Sequence, residues 1–170
     1  MTSINIRSAT SQDTSSILEM PPYSKCTYNQ LIYEENILVA EDEKKIIGAV
    51  SCGSKKISFI DRDWKDDFEQ CSGSLKEVTG SWISKLYIFP KYRNQGIGTN
   101  LVKAALENLE QKNVTEVYAG IYIKNEYREI STHIFEKNGF KRIGSCVCPL
   151  DFGYCRGILL KKRFNKQRQQ

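Results

Sequence analysis

Histidine is almost missing from this chain: His133 is the single one among 170 residues. Any chemistry built on two or more histidines, such as a poly-histidine zinc site, is therefore excluded. Long apolar runs are missing too. None approaches the roughly 20 residues that a membrane-spanning helix needs. The first residues, MTSINIRSATSQDTSS, are polar and hold no signal-peptide core. Secretion and membrane spanning are disfavoured, and a cytoplasmic location is the expectation. What remains is an ordinary globular composition, 40% hydrophobic, 26% charged and 11% aromatic. One domain is the size expectation for a chain of this length.

The formal charge of +5 is unevenly spread. The last ten residues, KKRFNKQRQQ, hold five cations and no acid, so the rest of the chain is balanced. Sequence alone thus shows no basic body for nucleic acid to bind, only a short basic tail. Nucleic acid and membranes are not expected partners.

The six cysteines are Cys26, Cys52, Cys71, Cys146, Cys148 and Cys155. Without a secretory leader they are expected to be reduced. The spacing Cys146-x-Cys148 is not that of a zinc knuckle, and two residues apart on a strand is one face. No metal is expected.

Hydrophobic periodicity orders the chain. Ile4–Arg7 alternates like an edge strand, and Thr10 with Asp13 opens a short helix carrying Ile17 and Leu18. Pro21-Pro22 stops it. A second helix is expected from about Ser24 to Glu35. Ile37–Ala40 and Ile46–Val50 flank a charged tip and read as a hairpin. Trp82–Phe89 is a strand ended by Pro90. Thr99–Lys112 is an amphipathic helix, with Leu101, Ala105 and Leu109 on one stripe and Val102 and Leu106 beside it. Val117–Ile123 is a strand. A helix through Ile130, Ile134 and Phe135 is closed by Asn138-Gly139. Phe140–Val147 and Gly157–Phe164 are the last strands, joined by a turn region over 148–156. The order is β-α-α-β-β-β-α-β-α-β-β, a mixed α/β domain.

Residues 54–80 break the pattern. Asp61, Asp63, Asp66, Asp67 and Glu69 cluster beside Phe59, Trp64 and Phe68. The segment reads as an insertion between the third and fourth strands, with a solvated acidic face. An acidic lip for a cationic ligand is the functional alternative.

The chemistry is concentrated in one stretch, SWISKLYIFPKYRNQGIGTNLVKAALENLE. A strand ends at Pro90 and the loop Arg93-Asn94-Gln95-Gly96-Ile97-Gly98 runs straight into a helix. Glycines let the backbone approach a ligand, and the helix N-terminus offers unsatisfied N–H groups and partial positive charge. Arg93 adds a full charge. A pyrophosphate is the natural guest of such a cradle. It is neither a dinucleotide fingerprint, since Leu101 stands where the third glycine belongs, nor a P-loop, since no Gly-Lys-Ser/Thr is present.

The pattern Leu86-x-Ile88-x-Pro90-x-x-Arg93-x-x-Gly96-x-Gly98 before an amphipathic helix resembles the acetyl-CoA signature of the GCN5-related N-acetyltransferases. Phe135-Glu136-Lys137-Asn138-Gly139-Phe140 is similar to that family's usual ending of the next helix. The resemblance spans residues 1–164 apart from the 54–80 insertion, and leaves 165–170 as a basic tail. It implies a sheet of six or seven mostly antiparallel strands, splayed between the fourth and fifth, with about four flanking helices. It implies acetyl-CoA as co-substrate, with Leu86, Tyr87 and Ile88 along the pantetheine arm and the Ile88 N–H as oxyanion donor. Arg93, Asn94, Gln95, Gly96, Ile97, Gly98 and Thr99 would hold the pyrophosphate, and Phe135 would also border the cofactor. The acceptor would be a primary amine of a small molecule or a protein. The protein would be a monomer or a homodimer.

The chain departs from that pattern at the catalytic positions. Phe135 stands where many members have an acidic tyrosine, and Ser84 where many have a basic glutamate. Arg128 falls at the position of the family's asparagine, with Asn125 three residues earlier. Tyr127 and Tyr154 are the candidate proton donors, and Glu126 and His133 also lie near the expected region. The alternative is a catalytically degenerate domain on the same fold that binds CoA or a protein partner.

Overall fold

The computed structural model describes residues 4–26, 36–60, 75–122, 126–150 and 153–164. Seven strands form one mixed sheet in the order β1-β2-β3-β4-β5-β7-β6, with an additional β3–β6 pairing. They are β1 (Asn5–Ser8), β2 (Asn36–Asp42), β3 (Lys45–Ile60), β4 (Leu75–Ile88), β5 (Glu116–Tyr122), β6 (Lys141–Leu150) and β7 (Gly153–Arg163). The helices among the described residues are α1 (Thr14–Leu18), α2 (Ile97–Gln111) and α3 (Arg128–Lys137), with 3-10 turns at Ser11–Asp13 and Pro90–Tyr92. No helix among the described residues is long and apolar enough to cross a membrane. The chain divides into two compact units, Met1–Gly53 with Ile83–Asn113, and Ser54–Trp82 with Val114–Gln170.

In the first unit β1, β2 and β3 form an antiparallel meander, with Ile6 opposite Ala40 and Val39 opposite Ala49. The strand residues of β2 alternate between two faces. Ile37 and Val39 pack with Ile17, Met20, Tyr23, Ile46 and Ala49 on the α1 side. Helix α2 packs against β2 and buries Leu101, Val102, Ala105, Leu106 and Leu109, the stripe its periodicity marks. The β2–β3 turn is two residues long, and both Glu43 (φ 46°) and Lys44 (φ 67°) are left-handed. The α1 entrance closes on its own side chains. The Thr10 N–H donates to the Asp13 carboxylate at 2.7 Å, and Arg7 donates to both Asp13 oxygens at 2.8 and 2.9 Å. The hydrogen-bonded Arg7 guanidinium holds the buried Asp13 carboxyl down at about 2.

In the second unit β7 lies between β5 and β6, antiparallel to both. The end of β3 joins β6, with Phe59 opposite Cys146. Helix α3 packs on β5 and ends in a complete Schellman closure. The Phe140 N–H donates to the Phe135 carbonyl at 3.1 Å and the Gly139 N–H to the Glu136 carbonyl at 2.9 Å. Gly139 takes φ 86°, and the Phe135 and Phe140 rings meet edge to face at 5.1 Å. The Phe-Glu-Lys-Asn-Gly-Phe motif is thus the closure itself.

Several expectations change. Strand β4 starts at Leu75 rather than Trp82, and β3 continues to Ile60, so both strands run into the 54–80 segment. Residues 61–74, with most of its acids, lie outside the described residues. The helix expected over Ser24–Glu35 also falls mainly outside them, and its first residues, Ser24 and Lys25, are in turns. The described helices therefore number three rather than about four. The α3 face differs as well: Thr132 and Phe135 are buried, whereas Ile130 is 55% exposed. Its core side is set by the contact with β5 and the Phe140 closure, and neither is visible in helical periodicity. The 148–156 turn is tighter than expected, since β6 runs to Leu150 and β7 resumes at Gly153. Of the sequence's cysteines, Cys52 is buried, and burial raises its thiol pKa.

Candidate cofactor-binding and catalytic site

The expected cofactor residues Leu86–Ile88 and Arg93–Thr99 form one continuous strand–turn–helix segment in the first unit. Its approach is distorted. Lys85, inside β4, has φ 54°, which costs a non-glycine residue about 1 kcal/mol and is concentrated at working sites. The Lys85 ammonium is 3.2 Å from the Cys26 sulfur and 5.5 Å from the centre of the buried Tyr23 ring. The Ser51 hydroxyl donates to the Tyr23 hydroxyl at 3.1 Å. The sequence carries no sign of the positive φ at Lys85.

Gly48 lies inside β3, and a glycine inside a strand marks a close backbone approach. A Cβ there would lie 2.6 Å from the Ile88 Cδ1 and 2.8 Å from the Tyr87 carbonyl oxygen. Glycine alone lets β3 and the end of β4 meet at this point. The Phe89 N–H donates to the Ile47 carbonyl at 3.0 Å. Successive strand residues present their polar groups to opposite sides, so the Ile88 N–H points away from β3. Arg93 braces the same place: its Nε donates to the Ile88 carbonyl at 3.0 Å, and its guanidinium lies 5.7 Å from the Tyr87 ring centre.

The cradle follows. Asn94 (φ 62°) and Gly96 (φ 77°) are left-handed, and Gly96 caps α2. Glycine has no side chain to close that helix end, and among the described residues nothing beyond the adjoining chain lies within 4 Å of where a Cβ would stand. Asn94, Gln95 and Gly96 are exposed, Thr99 is half-buried, and Ile97 and Gly98 are buried. The open end offers N–H groups, partial positive charge and room for a phosphate.

The other named residues, apart from Ser84, lie in the second unit. Tyr127 precedes α3 as its N-cap residue and is 39% exposed. Glu126 and His133 are exposed, and Arg128 opens α3. Phe135 is buried in the α3 closure. Tyr154 is on β7, opposite Pro149. Ser84 is half-buried on β4, and Asn125 lies outside the described residues. Among the described residues no group of three His, Cys, Asp or Glu side chains converges as a metal site would require.

Comparison with known proteins shows the family and the fold. Residues 5–140 match the model of the acetyltransferase (GNAT) family. The chain is 28% identical over 123 residues to N-alpha-acetyltransferase 30 of Schizosaccharomyces pombe, covering 71% of this chain and 69% of that protein. Its fold is that of the ribosomal-protein-alanine N-acetyltransferase of Brucella melitensis, with TM-score 0.64, 21% identity and coverage of 94% and 99% of the two chains. It is also that of a Salmonella typhimurium protein solved with its cofactor acetyl-CoA, with TM-score 0.66, 17% identity and coverage of 99% and 98%. A left-handed glycine opening a helix beyond a braced strand end, and a family match over most of the chain, lead to one conclusion: the chain belongs to the acetyltransferase (GNAT) family.

Proposed function

We propose that this protein is an acetyl-CoA-dependent N-acetyltransferase that transfers the acetyl group directly to a primary amine of a small molecule or a protein. The observation that carries the proposal is the open α2 N-terminus, capped by left-handed Gly96 eight residues beyond the end of β4. Acetyl-CoA supplies the activated acetyl group. The backbone from Arg93 to Thr99 holds its pyrophosphate, and Leu86–Ile88 pair with the pantetheine arm. The Ile88 N–H, aimed away from β3, donates to the thioester oxygen as negative charge develops there. The neutral amine nitrogen bonds to the carbonyl carbon, the C–S bond breaks, the sulfur leaves as thiolate with no acyl-enzyme, and the proton shed by the nitrogen passes to water. Positioning and oxyanion stabilisation are the main contributions, since a thiolate needs little help to leave. Tyr127 and Tyr154 are the proton donors assigned to it. The fission-yeast relative is an N-alpha-acetyltransferase, which favours the α-amino group of a polypeptide as acceptor.

Calorimetric titration with acetyl-CoA tests the reading. Micromolar binding by the parent, absent in Gly96→Trp, and acetylated product from an amine or peptide library are expected. Failure to bind at millimolar acetyl-CoA overturns it.

A further inference from the structure

The peptide groups of Ile88 are held from both edges of β4, and one of the holds is a charge. The described peptides are all trans, so the N–H and C=O of one peptide unit point opposite ways. The Phe89 N–H donates to the Ile47 carbonyl on β3 at 3.0 Å, so the Ile88 carbonyl of the same unit faces away from β3. The Tyr87 carbonyl oxygen lies against Gly48 of β3, 2.8 Å from where a Cβ would stand, so the Ile88 N–H faces away as well. One edge of β4 thus presents an N–H and a carbonyl from the same residue.

That juxtaposition works against oxyanion chemistry unless the carbonyl is answered. A thioester oxygen that accepts from the Ile88 N–H must sit beside the Ile88 carbonyl oxygen, and both carry negative charge. In a sheet, the neighbouring strand would donate to such a carbonyl. Here Arg93 does so, with its Nε at 3.0 Å. Arg93 is half-buried and its guanidinium lies 5.7 Å from the Tyr87 ring centre, so packing sets its position. A charged donor is roughly twice as strong as a neutral one, and it places positive charge on the edge that faces the oxyanion. It also fixes the rotation of the Ile88–Phe89 peptide, whose N–H is already tied to Ile47. A donor aimed in advance where charge develops needs no reorganisation during the reaction.

We propose that Arg93 is a positioning residue for the acetyl-transfer step. Its side chain orients and polarises the Ile88 peptide groups for the thioester oxygen, and the hold on the pyrophosphate is left to backbone N–H groups. The inference rests on the reading that acetyl-CoA binds along β4 with Ile88 as oxyanion donor.

Isotope-edited infrared spectroscopy of bound acetyl-CoA, labelled with heavy carbon at the thioester carbonyl, tests it beside calorimetric affinity. On the parent the carbonyl stretch should fall in frequency, because a hydrogen bond weakens the C=O bond. In Arg93→Met most of that shift should be lost, while acetyl-CoA affinity stays within about threefold of the parent, since the cradle's donors are backbone groups. Arg93→Lys keeps the charge but not the fixed Nε–H, and should share the loss. Circular dichroism shows whether each variant folds, and if Arg93→Met does not, Arg93→Lys carries the comparison. A side chain that bound phosphate would instead cost Arg93→Met more than about 10-fold in affinity and leave the shift intact in the bound fraction. That result overturns the proposal, as does a full shift in both variants. A parent that binds acetyl-CoA without a carbonyl shift overturns the Ile88 assignment and this inference together. A parent that does not bind overturns the acetyl-transfer reading itself.

Discussion

Two helix ends in this molecule are built on a left-handed glycine, and they end in opposite ways. At the C-terminus of α3, Gly139 turns the chain so that Phe140 can close over Phe135. Lys162 then covers the last turn, with its Nζ 3.5 Å from where a Cβ on Gly139 would be. At the N-terminus of α2, Gly96 turns the chain, and no described residue beyond the adjoining chain comes into the space beside it. The same backbone conformation serves a structural stop in one place and a vacant electrostatic terminus in the other. What distinguishes them is the surroundings of the glycine. The start of α1 sharpens the contrast, because there an N-terminal end is closed by Thr10, Asp13 and Arg7.

The largest expected effect breaks the closed end. Phe135→Ala removes a buried ring and should cost about 3–4 kcal/mol in urea unfolding. If the loss is below 1 kcal/mol, the closure is not what holds α3. Next is the open end. Gly96→Trp should lower acetyl-CoA affinity at least about 100-fold, while the positive φ costs about 1 kcal/mol of stability. Unchanged affinity in calorimetry would remove the cradle from the site.

Asp13→Asn tests an N-terminus that is already satisfied. The Asp13 pKa is lowered to about 2, so its contribution is full above the unfolded value near 3.8 and fades as pH falls through 2. The shift corresponds to roughly 2 kcal/mol. The variant should lose that amount at pH 7, and its stability should decline less steeply than the parent's between about pH 4 and 2. Parallel acid limbs in pH-dependent denaturation would show that Arg7 does not depend on this carboxylate. Smallest is Gly139→Ala, about 1 kcal/mol from the left-handed φ, with acetyl-CoA affinity unchanged. A matching fall in affinity would mean that the two glycine ends are not independent.

Both ends were legible in the sequence, because each is a local motif. Gly96 and Gly98 precede a strong apolar stripe, and Asn138-Gly139-Phe140 is a complete stop signal. The long-range features were harder. The buried side of α3 depends on β5 and Phe140, and periodicity alone put Ile130 on the wrong face. Strands β3 and β4 run past the points where their apolar patterns fade, since pairing partners extend them. The Lys85 conformation has no sequence signature. The placing of Lys141 beside Lys161, from 20 residues away, arises only when β6 and β7 pair.

The two-residue turn between β2 and β3 has a consequence for folding kinetics. Glu43 and Lys44 both sit in a conformation that such turns ordinarily give to Asn-Gly. A turn strained in this way is expected to form late, after Ile37–Ala40 and Ile46–Val50 have zipped and imposed it. Late formation means that relieving the strain acts mainly on escape from the native state. Replacing Glu43-Lys44 by Asn-Gly should therefore slow unfolding more than it speeds refolding. The reverse partition in a denaturant chevron would mean that the turn, despite its residues, is where this hairpin begins.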